Sequence, residues 1–431
     1  MKALWKKRRP HRPNATLPPS APPPHLPPEV IFEIIAQLHC YNRKQLAHTL
    51  ASLALVSSAF RGPAQATLFH SIRIDICKAQ RSRTKSLFMA LLSNPSLNRL
   101  VQKLEIGVYA SPKDAESIRF HMFPRSLRMH TLRLCAEELE RRHRGGARWY
   151  KLPQALQREL CAMMQCSTTR ILNLHDIRGI PTNVISTCAQ LRELKVSGFT
   201  YFLPGPAADN AASQHATTRT ELGYLEKLTL RHWYVTPIGT LVRALCDKTS
   251  SALSLQGLRT FSTDIHNDAQ LEDCRTVLGI SGHAIDELEL NVYNRMSNCK
   301  LYWIAVEPPG KLVAITASLG SLENLHNVRS LELRPSSLEV FLSLFPILES
   351  FPSVHRFQKI VVHMKLWDWA RTQRDVGVWE HVDELLLRER TLRRVSVVVA
   401  IHDEDMGNFI VEKVSLILGA SGLLCVQAGY G

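Results

Sequence analysis

A chain of 431 residues with 45% hydrophobic content is too long for one small core and too apolar for a disordered polymer, so one extended architecture or two to three domains are expected. Its longest apolar run, Val395 to Ile401, is about seven residues and is interrupted by Ser396, where a bilayer span needs ~20, so no transmembrane helix is expected. The net charge is +15, but six of the basic side chains lie in the first twelve positions, and the mild excess that remains does not by itself make a nucleic-acid binder, which needs clustering on one face.

The chain opens on MKALWKKRRPHRP, with no apolar segment behind the basic residues, so no secretory signal is expected. Lys6 to Arg9 reads either as a nuclear import signal or as part of a solvated tail. Residues 1–24 form a basic, Pro-rich leader with too few apolar residues to offset the entropy of ordering it. The ten cysteines have no regular spacing and read as reduced thiols, which places the chain in the cytoplasm, the nucleus or both.

Helical periodicity begins at Leu26. Val30, Ile31, Ile34, Ile35 and Leu38 make one apolar stripe, Pro27 and Pro28 suit a first turn, and Glu29 sits near the positive end of the helix dipole. A polar turn with Asn42 as cap follows. The spacing then predicts a second helix from about Lys44 to Phe60, burying Leu46, Leu50, Leu53 and Val56 and ended by Gly62 and Pro63, with a last helical turn over Ala64 to Phe69.

Beyond Ile72, Ile74 and Ile76, which alternate as a strand does, a unit apolar-x-x-apolar-x-apolar recurs. Clear copies start at Val101, Leu191, Leu225, Ile285, Val328, Phe357 and Leu392, with weaker ones near Leu132, Leu172 and Leu255. From Leu191 on, the clear copies are 34, 60, 43, 29 and 35 residues apart, the 60 being two units if the copy near Leu255 counts. Such self-similarity is the mark of a solenoid, because one strand and one helix cannot bury an apolar face alone and stacked units can. Amphipathic stretches at Leu241 to Leu245, Leu338 to Phe345 and Val378 to Leu386 fit between copies, while Pro204 to Thr220 reads as a loop. Ala110 to Tyr150 is basic and poorly periodic. Eight residues after the first apolar position, four copies carry an aromatic (Tyr109, Phe199, Trp233, Tyr293), which predicts turns packed by stacked rings.

Leu26-Pro27-Pro28-Glu29, the apolar pair Val30 and Ile31, and the later helix closing on Val56, Ser57, Phe60 and Arg61 resemble an F-box over residues 25–75. The repeats over 76–431 resemble those of the divergent F-box proteins with leucine-rich repeats found in fungi. The family's Trp in the second helix is Phe60 here, the loop from His39 to His48 is long, and the repeats lack the family's Asn ladder. The resemblance implies an α/β chain: a small helical F-box-like module, then an irregular leucine-rich-repeat-like solenoid with a parallel sheet. It also implies the substrate-recognition subunit of an SCF-type ubiquitin ligase, docked on the Skp-family adaptor and through it on a cullin. On that reading Leu26, Pro27, Pro28, Glu29, Ile31, Ile34, Leu53, Val56 and Phe60 serve docking or the module's own core, and the repeats hold a protein substrate.

In each repeat the third, fifth and seventh positions point to the open face, which makes Lys195, Arg231, Glu289, Arg334, His363 and Arg394 candidates for substrate contact. Mixed signs also serve simply to keep a sheet soluble. Phosphate-binding loops, nucleophile elbows and His-Glu-x-x-His are missing, and Cys161, Cys166 and His175 fit no common zinc spacing. No enzyme, cofactor or metal is therefore expected. Two other readings stay open: a repeat scaffold whose F-box no longer binds the adaptor, and a basic nuclear protein touching nucleic acid.

Overall fold

The computed structural model describes residues 26–40, 42–76, 81–108, 127–136, 147–205, 222–232, 238–247, 251–293, 325–335, 359–365 and 395–400. The chain divides into two compact units, Met1–Phe69 and His70–Gly431. The boundary falls ahead of residue 75 because the alternating Ile72, Ile74 and Ile76 pair into the second unit's sheet.

In the first unit α1 (Pro28–Gln37) begins where Pro28 has no N–H to leave unsatisfied, and the Pro27 carbonyl accepts from the Val30 and Ile31 amides at 3.1 and 3.2 Å. A single 3-10 turn, Leu38–Cys40, leads to α2 (Arg43–Val56), whose cap Asn42 accepts from the Gln45 amide at 3.1 Å. The predicted second helix does not reach Phe60. The chain turns extended at Ser57 (φ −142°, ψ 136°), and α3 (Ser58–His70) runs on through Gly62 and Pro63. Ser57 starts the new helix, its hydroxyl accepting from the Ala59 amide at 3.2 Å. Pro63 cannot donate to the Ala59 carbonyl, but Ala59 is exposed, where solvent is free to take the missing donor's place. Ile31, Ile35, Leu50 and Ala64 form the buried core, with Leu38, Leu46, Leu53, Phe60 and Leu68 packed against it.

The second unit is a mixed α/β structure. In chain order it contains β1 (Ser71–Ile76), α4 (Arg81–Ser93), α5 (Pro95–Asn98), β2 (Lys103–Val108), β3 (Thr131–Ala136), β4 (Ala147–Arg148), α6 (Gln154–Met164), β5 (Ile171–His175), β6 (Ile177–Pro181), α7 (Thr182–Ser186) and β7 (Glu193–Gly198). Then follow β8 (Tyr201–Leu203), β9 (Gly223–Tyr224), β10 (Lys227–His232), α8 (Gly239–Cys246), β11 (Leu253–Ser254), β12 (Thr260–Ile265), α9 (Asp268–Ser281), β13 (Glu287–Val292), β14 (Ser330–Pro335), β15 (Lys359–Lys365) and β16 (Val395–Ala400).

Eleven of these strands form one open sheet in the order β1-β2-β3-β5-β7-β10-β12-β13-β14-β15-β16, so each pairs with the next main strand in sequence. Every pairing in it is parallel. The apolar triplets explain the register: Leu104, Leu132, Leu172, Leu194, Leu228, Phe261, Leu288 and Leu331 lie level across successive strands and are all buried. The first position of the unit, three residues before each of these, is buried too, including Met129 and Thr169 in the weak copies. In the copy near Leu255 the strand starts later than its leucines suggest: Leu258 and Phe261 occupy the first two apolar positions, and the third is Thr263. Leu258 divides the 60-residue gap between Leu225 and Ile285 into 33 and 27.

Just ahead of the strands, one carbonyl accepts two amides from the next main strand's start. The Arg192 carbonyl takes Glu226 and Lys227 at 2.8 and 2.9 Å, and that of Asp286 takes Arg329 and Ser330 at 2.8 and 3.0 Å. This ladder does without the side-chain amides that the sequence lacks. The helices bury narrow stripes, Leu156, Leu160 and Met164 in α6 and Leu241, Val242 and Leu245 in α8. α9 is capped reciprocally, Asn267 accepting from the Gln270 amide at 3.0 Å while the Gln270 side chain accepts from the His266 amide at 2.7 Å.

Of the predicted stacked turns, Tyr293 stacks on His266 with centroids 4.3 Å apart, and Phe199 carries the Arg178 guanidinium 5.1 Å above its ring. The rings thus pair with a histidine and a cation rather than with one another. Tyr109, Trp233, most of the loop assigned to Pro204–Thr220, and the amphipathic stretches at 338–345 and 378–386 lie outside the described residues. No helix among the described residues is long and apolar enough to cross a membrane.

Candidate functional site

Two surfaces, one on each unit, carry the candidate residues. On the first unit, α1 presents two apolar stripes where sequence periodicity shows one. Ile31 and Ile35, 4% exposed each, face the core. Leu26, Val30 and Ile34 recur every fourth residue on the outside, at 48%, 41% and 37% exposure. Phe32, on the other side of the core stripe, is exposed at 59%, and α2 ends on Leu55 and Val56, at 84% and 82%.

The nine candidate docking residues therefore divide. Leu26, Pro27, Pro28, Glu29, Ile34 and Val56 are exposed; Ile31 is core; Leu53 and Phe60 are packed against the core. Val56, predicted to be buried, is turned outward because α2 stops there and the chain changes direction at Ser57. Val30, Phe32 and Leu55 join the exposed group. Their signal in the sequence is an excess of apolar residues over what one helical stripe can bury: Val30 and Phe32 flank the core residue Ile31.

On the second unit, the side chains between the buried triplets form rows across the open sheet face. One row runs Asn173, Lys195, Thr229, Ser262, Glu289, Glu332. Glu289 is its hub. Arg231 Nη2 donates to both its carboxylate oxygens at 2.7 and 3.0 Å, Ser262 donates at 2.7 Å, and Arg334 Nε approaches at 3.2 Å while also donating to Glu332. Burial pushes the Glu289 carboxyl up, but the Ser262 bond and the two guanidiniums outweigh it and hold it below the usual carboxylate range. A second cluster joins Arg73, Asp75, Glu105 and Arg133 over β1 to β3.

Arg231 and Glu289 also line a trough of about 260 Å³, floored by Thr260 and Ser262 and walled by Lys195 and Lys227 on one side and Glu287 and Glu332 on the other. The structure thus brings Arg231, Glu289 and Arg334 into one network and sets Lys195 at the trough's opposite side. The His363 side chain and Arg394 lie outside the described residues. Ser262 belongs to the copy whose register the leucines disguise, which is why spacing does not bring it to this face.

A third arrangement has the residue types of a hydrolytic relay. His175 Nδ1 lies 2.9 Å from Ser197 Oγ, and Nε2 lies 2.9 Å from Asp176 Oδ2. Its geometry is that of a clip between turns. Asp176 is in the left-handed region (φ 58°), accepts from the Phe199 amide at 2.8 Å, and lies against Gly198 (φ 70°), where a Cβ would meet its carboxylate. Burial raises the Asp176 carboxyl, but the bonds from His175 and the Phe199 amide prevail and hold it low. The free thiols of Cys188 and Cys274 are pushed up to about 12 by burial, which suits packing and not nucleophilic chemistry.

No known protein-family model matches the chain, and no curated protein matches it.

Proposed function

We propose that this chain is the substrate-recognition adaptor of an SCF-type ubiquitin ligase. Residues 26–70 act as an F-box-like module that docks on the Skp-family adaptor. The strand and helix series behind it acts as an irregular leucine-rich-repeat-like solenoid that holds a protein substrate. The observation that carries this reading is the set of large apolar side chains that the first unit's own core leaves in solvent: Leu26, Val30 and Ile34 on one stripe of α1, with Phe32, Leu55 and Val56 also exposed. It supports docking because the same short unit also carries the Leu26-Pro27-Pro28-Glu29 opening. Catalysis in such a complex is proximity: the chain holds the substrate beside a charged conjugating enzyme and contributes no acid, base or nucleophile. Such a role belongs in the cytoplasm or nucleus.

The test is co-purification of the full chain with the Skp-family adaptor. Val30→Asp with Ile34→Asp, and separately Val56→Asp, alter only exposed side chains, so helix content measured by circular dichroism should hold. A stoichiometric complex lost in both variants supports the proposal. Absence of a complex with the unaltered chain sinks it and leaves a repeat scaffold. An Ile31→Asp variant is uninformative here, because Ile31 is core and its loss unfolds the module.

A further inference from the structure

The trough on the open sheet face has a polarity of its own. Lys195 on β7 and Lys227 on β10 are exposed, and among the described residues neither ammonium has a hydrogen-bond or ion-pair partner. Glu193, level with Lys227, offsets one of the two charges and leaves that wall net positive. Across the floor the Glu287 carboxylate accepts only from the Thr260 hydroxyl, at 3.2 Å, among the described residues. Glu289 and Glu332 are already held by arginines. The strands between the walls carry short hydroxyl side chains, Thr229, Thr260 and Ser262, so the floor is low and offers hydrogen bonds without bulk.

We propose that this trough binds an extended peptide segment that carries one acidic and one basic side chain three or four residues apart, with small residues between them. The acidic side chain meets Lys195 and Lys227, and the basic one meets Glu287. The spacing follows from the sheet. Lys227 is level with Glu287 and two strands away, about 10 Å at ~4.8 Å per strand, and Lys195 is three strands away and two residues further along, about 16 Å, so an extended chain at ~3.3 Å per residue runs from between the two lysines to Glu287 in three to four residues. Small intervening residues follow from the floor, where the short side chains of Thr260 and Ser262 let a backbone lie close to the sheet and hydrogen-bond to their hydroxyls. A phosphate or a purely acidic tail fits less well, because Glu193, Glu287 and Glu332 line the same trough. The inference deepens the substrate-recognition reading above and rests on it for calling the peptide a substrate segment.

The experiment measures binding of fluorescent nine-residue Gly/Ser peptides to the full chain by anisotropy. One peptide carries Glu and Arg four residues apart, and its counterparts carry Glu and Glu, Arg and Arg, or Gln and Gln. The mixed peptide should bind at least tenfold tighter than any counterpart. In a Lys195→Glu, Lys227→Glu variant the mixed peptide should lose at least tenfold and the Arg and Arg peptide should gain, while Lys195→Gln, Lys227→Gln should weaken the mixed peptide without that gain. Tightest binding of the Glu and Glu peptide overturns the proposal, as does no binding of the mixed peptide or binding indifferent to the lysines. Adaptor co-purification of the same proteins separates the two readings. Lost peptide specificity with the adaptor still bound overturns this inference alone, and peptide specificity without adaptor binding overturns the ligase reading and leaves a peptide-binding trough.

Discussion

Asp273 should destabilise the second unit at neutral pH, by an amount that can be worked out. It lies on α9, its carboxylate so close to the start of α8 that a Cβ on Gly239 would sit 2.8 Å from Oδ1. Burial raises its pKa from 3.8 to about 6, Arg243 partly offsets this and Glu272 adds to it. The folded state therefore binds the proton more tightly than the unfolded one. The carboxyl costs nothing below about pH 4, where both states are protonated, costs progressively more between 4 and 6, and carries its full cost above that window. A shift of about two units corresponds to ~3 kcal/mol, and partial solvent contact reduces this to about 1–2 kcal/mol. Asp273→Asn keeps the shape and removes the charge. Urea denaturation at several pH values should show the variant about 1–2 kcal/mol more stable at pH 7.5, the gain vanishing near pH 4. A variant that is no more stable at pH 7.5, or whose gain is the same at every pH, refutes the reasoning.

Further expectations concern the other clusters. Ile31→Ala should cost the first unit about 2–4 kcal/mol and expose it to proteolysis, whereas Ile34→Ala, on the outer stripe, should change stability by less than about 1 kcal/mol; equal effects would contradict the division of α1 into two faces. Glu289→Leu leaves two guanidiniums and the buried Ser262 hydroxyl without their acceptor and should cost about 2–3 kcal/mol in denaturant melts, with Glu289→Gln costing less. Because Glu289 and Asp176 are held low, their stabilisation is present above the ordinary carboxylate range and is lost as pH falls, so an acid titration of Glu289→Gln should be flatter than that of the parent. Cys188 and Cys274 should resist iodoacetamide at pH 8 in the native state while exposed Cys40 reacts, as mass mapping would show. Ser197 should not take up a fluorophosphonate probe, since its bond to His175 belongs to a turn clip; labelling at Ser197 would reopen a hydrolytic reading.

The main sheet was legible because the apolar triplets report the pleat directly. Where all three positions are large and apolar, as at Leu191, Leu194 and Val196, strand, face and register follow from spacing. Where Thr263 or Thr169 takes a buried position, the pattern breaks although the backbone does not: Thr fits the β conformation, and its burial is settled by neighbours distant in sequence. The helix break at Ser57 was hidden for a related reason. Ser57 and Ser58 are ordinary in a helix and better as caps, and Gly62 with Pro63 makes a stronger local stop signal than the one the fold obeys.

The candidate surfaces were less legible, because periodicity counts apolar residues and does not say which will find partners inside the chain. α1 holds Val30, Ile31, Phe32, Ile34 and Ile35 in six positions, more than a 100°-wide stripe can accommodate. A core built on four buried residues takes Ile31 and Ile35 and leaves the others outside. Leaving Phe32, Leu55 and Val56 in water forgoes burial worth roughly 1.5–3 kcal/mol per large side chain. That forgone burial is available to whatever docks there. On the sheet face the same reasoning applies to charge. Glu289 makes its four contacts inside the chain, while among the described residues Lys195 and Lys227 make none, so the lysines and not the conspicuous Arg231, Glu289 and Arg334 network are what a bound segment would first meet.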